Sequence, residues 1–205
     1  EATQAWLDGE GDRSLAFHEK MVAEWPRDLL AGNVGQLHAL NLGDDEALFR
    51  IGEHLIAADP DNLHVRGLHA FGLAEGNRLD EAEVAARRAP GSRWSQRALV
   101  QCLAARGRLV EGMSLLSSAN RLWRDGKWHR SLFLIDLDRT DEALALYDAV
   151  ADDLVAISLL ARLELRGVDV GTRWADVARP FETRLHDHFV PYLDLQYLYA
   201  LARAG

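Results

Sequence analysis

The polypeptide has 205 residues, enough for one domain or a short repeat array with a buried core. Its formal net charge of −9, with no concentrated basic stretch, argues against a general binder of nucleic acid or other polyanions. The single cysteine, Cys102, excludes an internal disulfide and a thiolate metal cluster and fits a reducing, cytoplasmic setting, while no apolar run reaches the roughly 20 residues that span a bilayer.

Apolar residues recur at helical spacing, and the pattern predicts helices over 2–8, 12–25, 28–41, 44–58, 62–75, 79–89 and 92–106. Further helices are predicted over 109–119, 126–137, 140–151, 153–166, 172–186 and 189–203. Strand signals are nearly absent, and the apolar triplet Phe133 to Ile135 lies inside a helical pattern. The expected fold is all-α. No linker stands out, the loosest stretches being 119–127 and 167–171, so residues 1–205 read as a single helical-repeat domain. No signal-peptide pattern opens the sequence, which begins at Glu1 rather than Met.

One phrase repeats along the chain: a helix, a tight polar turn, then an acidic helix start with a small residue inside. It occurs as "LDGEGDRSLAFHEKMVAEWP", "LNLGDDEALFRIGEHLIAADP", "GLAEGNRLDEAEVAARRAP", "LAARGRLVEGMSLLSSA" and "LIDLDRTDEALALYDAV". The small position is expected at Ala16, Ala47 or Leu48, Ala82, Gly112 and Ala143, close to the roughly 34-residue period of helix-turn-helix repeats. Gly11, Gly43 and Gly107, with Asn77 and Asp138, are expected to take the left-handed conformation that ends a helix. Pro26, Pro60 and Pro90 each stop a second helix. These features predict a right-handed superhelix of antiparallel helix pairs.

Three stretches, "AFGLAEGNRLDEAEVAARRA", "KWHRSLFLIDLDRTDEALALYD" and "LLARLELRGVDVGTRWADVA", resemble the tetratricopeptide repeat protein 38 family. The first matches repeats at large; the other two are more specific to that family. The resemblance runs over nearly the whole chain, which reads as a trimmed or shortened member of a longer architecture. It implies a helical repeat fold. The chain departs from the family pattern at three places. "RDGKWH" keeps only Trp128 and His129 of a Cys-His-Asn-aromatic-Trp-His phrase, Gln101 replaces a histidine, and "YLDLQ" keeps Asp194 but has Gln196 in place of another histidine.

Candidate chemistry is sparse. His129 reads first as a packed or groove histidine, and second as an acid–base group with His188 and Asp194. The run His186-Asp187-His188 lacks partners at metal-ligand spacing, so no metal is expected; Asp187 is a candidate cap for a last helix with Pro191 in its first turn. His64 and His69 diverge by about 140° on a helix, and His18, His38 and His54 share no signature. Cys102 reads as a core residue. There is no glycine-rich phosphate loop, and no cofactor is expected. Thr172 is the expected N-cap of the helix that carries Trp174.

The expected function is non-enzymatic: a scaffold holding a peptide, protein partner or small ligand in its concave groove. The residues expected to line it are Arg97, Gln101, Trp128, His129 and Gln196. An acid–base enzyme using His129, His188 and Asp194 is the alternative. Self-association into a homo-oligomer through end helices is a third possibility.

Overall fold

The computed structural model describes residues 1–118, 126–148, 154–183 and 191–205. Among the described residues every regular element is helical and there is no strand. None of these helices is long and apolar enough to cross a membrane. The chain divides into two compact units, Glu1–Gly107 and Arg108–Gly205.

The first unit contains α1 (Ala2–Leu7), α2 (Gly11–Glu24), α3 (Leu29–Leu42), α4 (Asp45–Ala58), α5 (Leu63–Glu75), α6 (Leu79–Arg87) and α7 (Arg93–Ala105). Each helix packs on the next, α2 also packs on α4, and α5 on α7. Local chemistry sets the boundaries. Asp28 accepts from the amides of Leu30 and Ala31 at α3, Asp44 from Ala47 at α4, and Asn62 from His64 and Val65 at α5. Pro26, Pro60 and Pro90 follow the ends of α2, α4 and α6, as expected of a residue that cannot continue a helix.

Gly43, Asn77, Gly107 and Asp138 all have positive φ, as the repeated phrase requires. The first phrase is different. Gly11 is the first residue of α2, and Gly9, at φ 77°, makes the turn. The small position therefore belongs to Ser14, fully buried, and not to Ala16, which is exposed. With that correction Ser14, Leu48 and Ala82 are evenly spaced at the helix-turn-helix period.

Helices α4 and α5 approach closely because two glycines face each other's backbone. A Cβ on Gly52 would lie 3.2 Å from His69 Cα, and one on Gly72 would lie 3.0 Å from the Leu48 carbonyl oxygen. Gln36 of α3 pins the same seam: its amide Nε2 donates to the carbonyls of Leu48 at 2.9 Å and Leu68 at 3.1 Å. Leu48, Ile51, Leu55, Val65, Leu68 and Phe71 fill the core around it.

The second unit contains α8 (Leu109–Ser118), α9 (Gly126–Asp136), α10 (Thr140–Asp148), α11 (Leu154–Leu165), α12 (Arg173–Ala178), a 3₁₀ turn (Arg179–Phe181) and α13 (Pro191–Ala204). Its core gathers Leu134, Ile157, Leu160, Leu163, Trp174 and Tyr197. Gly112 of α8 gives room for the Phe133 ring of α9. The helix predicted over 172–186 stops at Ala178, because Pro180 has no amide to donate and the chain tightens into the 3₁₀ turn. Thr172 occupies the N-cap position of α12 without a side-chain capping bond. Pro191 opens α13, where its missing amide costs nothing.

Candidate functional site

A groove of about 760 Å³ lies between α4 and α6 in the first unit, floored by α5. Helices α2 and α4 pack together, but no comparable packing joins α4 to α6; both rest on α5. Ile56 of α4, Leu73 of α5, and Val84 and Ala85 of α6 give the groove a mainly apolar lining. Polar side chains edge it: Arg66 and His69 from α5, Asp80 and Glu81 at the start of α6, and Arg88 just past its end. Arg78, the residue before α6, lies over the Phe49 ring of α4 at 4.2 Å and bridges the two walls near the start of both helices.

Most of these charges are already matched. Arg78 forms two bonds to the Glu81 carboxylate, at 2.9 and 2.8 Å. Asp80 pairs with Arg106, and Arg66 bonds Asp61 at 3.0 Å and the Pro60 carbonyl at 2.6 Å. His69 Nε2 lies 2.6 Å from a Glu53 carboxylate oxygen. The volume falls in the range of pockets that take a drug-sized ligand or a few side chains of a peptide.

A second cluster joins histidines that lie on different helices. Ser14 Oγ donates to the Ala2 carbonyl at 2.9 Å and lies 2.9 Å from His38 Nδ1. The His38 ring stacks on Trp6 at 4.1 Å and meets His18 edge-on at 5.0 Å. Burial pushes the pKa of both histidines down from the ordinary 6.5; at His18 an Ala31 backbone bond and Asp28 oppose it, and at His38 the neighbouring His18 adds to it. The cluster is sealed in the interior, with Ser14 fully buried and both histidines nearly so. It joins α1, α2 and α3 by packing and hydrogen bonding. Sequence reading passed over it because His18 and His38 sit on separate helices; the small buried position of the repeated phrase, once assigned to Ser14, was the available signal.

Of the residues expected to line a groove, Arg97 and Gln101 come together on α7. Gln101 Nε2 donates to Glu75 at 2.7 Å, Arg97 stands 3.8 Å from the same carboxylate, and its guanidinium lies over the Phe71 ring at 4.8 Å. Glu75 therefore accepts a hydrogen bond from Gln101 and pairs with Arg97 at a longer distance. In the second unit Trp128 packs against the core, with the Arg162 guanidinium 5.2 Å from its ring centre. His129 on α9 and both Asp194 and Gln196 on α13 are half-buried. Helices α9 and α13 each pack on α11. His188, with His186, Asp187 and Trp123, lies outside the described residues.

Among the described residues no group of three or more His, Cys, Asp or Glu is placed to hold a metal ion. Cys102 is fully buried, and burial raises its thiol to about 11, so it is a protonated core residue at neutral pH. On α13, Tyr192, Leu195, Leu198 and Tyr199 remain exposed. No protein-family model matches the chain.

Proposed function

We propose that this chain is a non-enzymatic binding protein, built as a tetratricopeptide-repeat-like array, that seats a peptide segment of a partner protein in the groove between α4 and α6. The observation that carries this reading is the parting of those two helices over α5. Where α2 meets α4 the two helices pack directly; between α4 and α6 there is about 760 Å³ of mainly apolar space. Leaving Val84 51 % exposed at such a seam has no packing benefit in the chain itself, and an incoming aliphatic side chain would remove it from water.

The even spacing of Ser14, Leu48 and Ala82, with positive-φ residues before the second helix of each pair, supports the repeat architecture. The three quoted phrases support divergent membership of the tetratricopeptide repeat protein 38 family. Within this reading the binding surface is the groove between α4 and α6, which Arg97 and Gln101 do not line; on α7 those two meet Glu75 instead.

Panning a random-peptide library against the whole purified chain tests the proposal, with Val84→Glu as the counter-screen. Val84 is half out in solvent, so the substitution alters the groove and leaves the core alone. Peptides that bind the natural chain and lose binding to the variant are expected. Recovery of only variant-indifferent peptides, or of none, would reject the reading.

A further inference from the structure

We infer that the groove selects an acidic-aliphatic peptide segment, whose carboxylate meets Arg88 while its aliphatic side chains fill the space between Ile56, Leu73 and Val84. This inference rests on the binding role proposed above and specifies its ligand chemistry.

The charges around the groove decide the sign. Glu81 is held by Arg78, Asp80 by Arg106, Arg66 by Asp61, and His69 by Glu53. Arg88 is different: among the described residues its guanidinium forms no hydrogen bond, ion pair or ring contact. Its neighbour Arg87, which does not line the groove, is tied to Glu83 at 2.7 Å and already supplies a cation to the last turn of α6. The exposed guanidinium at the groove is thus an unanswered fork of donors. Its planar geometry suits a carboxylate, which can accept two parallel bonds from it.

The spacing decides the rest. Glu81, Val84 and Ala85 on α6 and Arg88 at its C-cap fall at i, i+3, i+4 and i+7, and because Arg88 keeps helical φ and ψ they follow one face about 10 Å long. That face runs from acid through aliphatic to base. Asp80 and Glu81 at one end are matched by Arg106 and Arg78, so a ligand anion is drawn to the Arg88 end, which sets one direction for the bound segment. Two or three aliphatic side chains and one Asp or Glu, spaced within roughly two helical turns, match it.

The test sequences the peptide pools selected on the natural chain and on Arg88→Gln, then measures one synthetic peptide by calorimetry. The pool whose binding depends on Val84 should be enriched in Asp or Glu beside Leu, Ile or Val. The chosen peptide should weaken about tenfold on Arg88→Gln, the loss expected for a charge-assisted pair. Changing its acid to the amide should cost the same, and the two changes together should not add. Arg87→Gln should leave binding unaltered, and raised salt should weaken it. Val84-dependent peptides without acidic enrichment, or indifferent to Arg88→Gln, overturn this inference and leave the binding role standing. Absence of any Val84-dependent peptide overturns both. Saturable binding of decanoate that requires Arg88, with no peptide selected, assigns the site to a small aliphatic acid and overturns the peptide.

Discussion

Ser14 does two jobs with one hydroxyl. Because its proton goes to the Ala2 carbonyl, its oxygen accepts from His38, which places a proton on His38 Nδ1. Replacing Ser14 with alanine leaves two buried polar groups without this partner. The expected loss is about 1–3 kcal/mol, read as a lower urea midpoint at unchanged slope. The histidines beside it make stability depend on pH. Their folded-state pKa values lie below the ordinary 6.5, so the unfolded chain binds more protons just below that value. Their contribution is fully present above pH 6.5 and is lost as the pH falls through the folded values. Urea unfolding followed from pH 7.5 to 5 should show stability falling below pH 6.5. In an NMR titration both imidazoles should begin to protonate only below that pH; ordinary titration of His18 and His38 would contradict the burial argument.

The helices themselves depend on a few backbone approaches. Alanine in a helix interior usually improves on glycine by roughly 0.5–1 kcal/mol. At Gly72 the sign should reverse, because the added Cβ meets the Leu48 carbonyl and the Phe49 backbone, neither of which can swing away. Gly72→Ala is expected to lower stability by about 1–3 kcal/mol and to disturb α4 and α5 together in hydrogen exchange. A stabilised variant would mean the two helices can separate at no cost. Element ends were legible in the sequence to within a residue or two: the predicted starts at 28, 44 and 62 fall on Asp28, Asp44 and Asn62, which the structure shows as caps, and the prolines stop helices, because those effects act within a few residues. The exceptions have local causes too. Pro180 ended α12 eight residues before the predicted boundary, and of two nearby glycines only Gly9 carries the positive φ.

At the scale of the molecule, each compact unit has its own core. Cys102 reports on the first, being fully buried on α7 with its thiol held protonated. Native protein should react with an aromatic disulfide reagent only through opening of that unit, far more slowly than a free thiol, and sub-denaturing urea should accelerate the reaction. Labelling at the free-thiol rate in buffer would contradict the packing of α7 described above. The sequence by itself determined the helical class, the positions of nearly all the helices and the chemistry of their turns, since periodicity and capping are properties of neighbouring residues. Only the tertiary structure decided which side chains meet. It joined His18 to His38, brought Arg97 and Gln101 onto Glu75, and parted α4 from α6 while leaving the Arg88 side chain, among the described residues, unmatched beside the gap. Those relations depend on how separate helices register against one another, and that register is set by glycine contacts and core packing across many residues, which no local pattern carries.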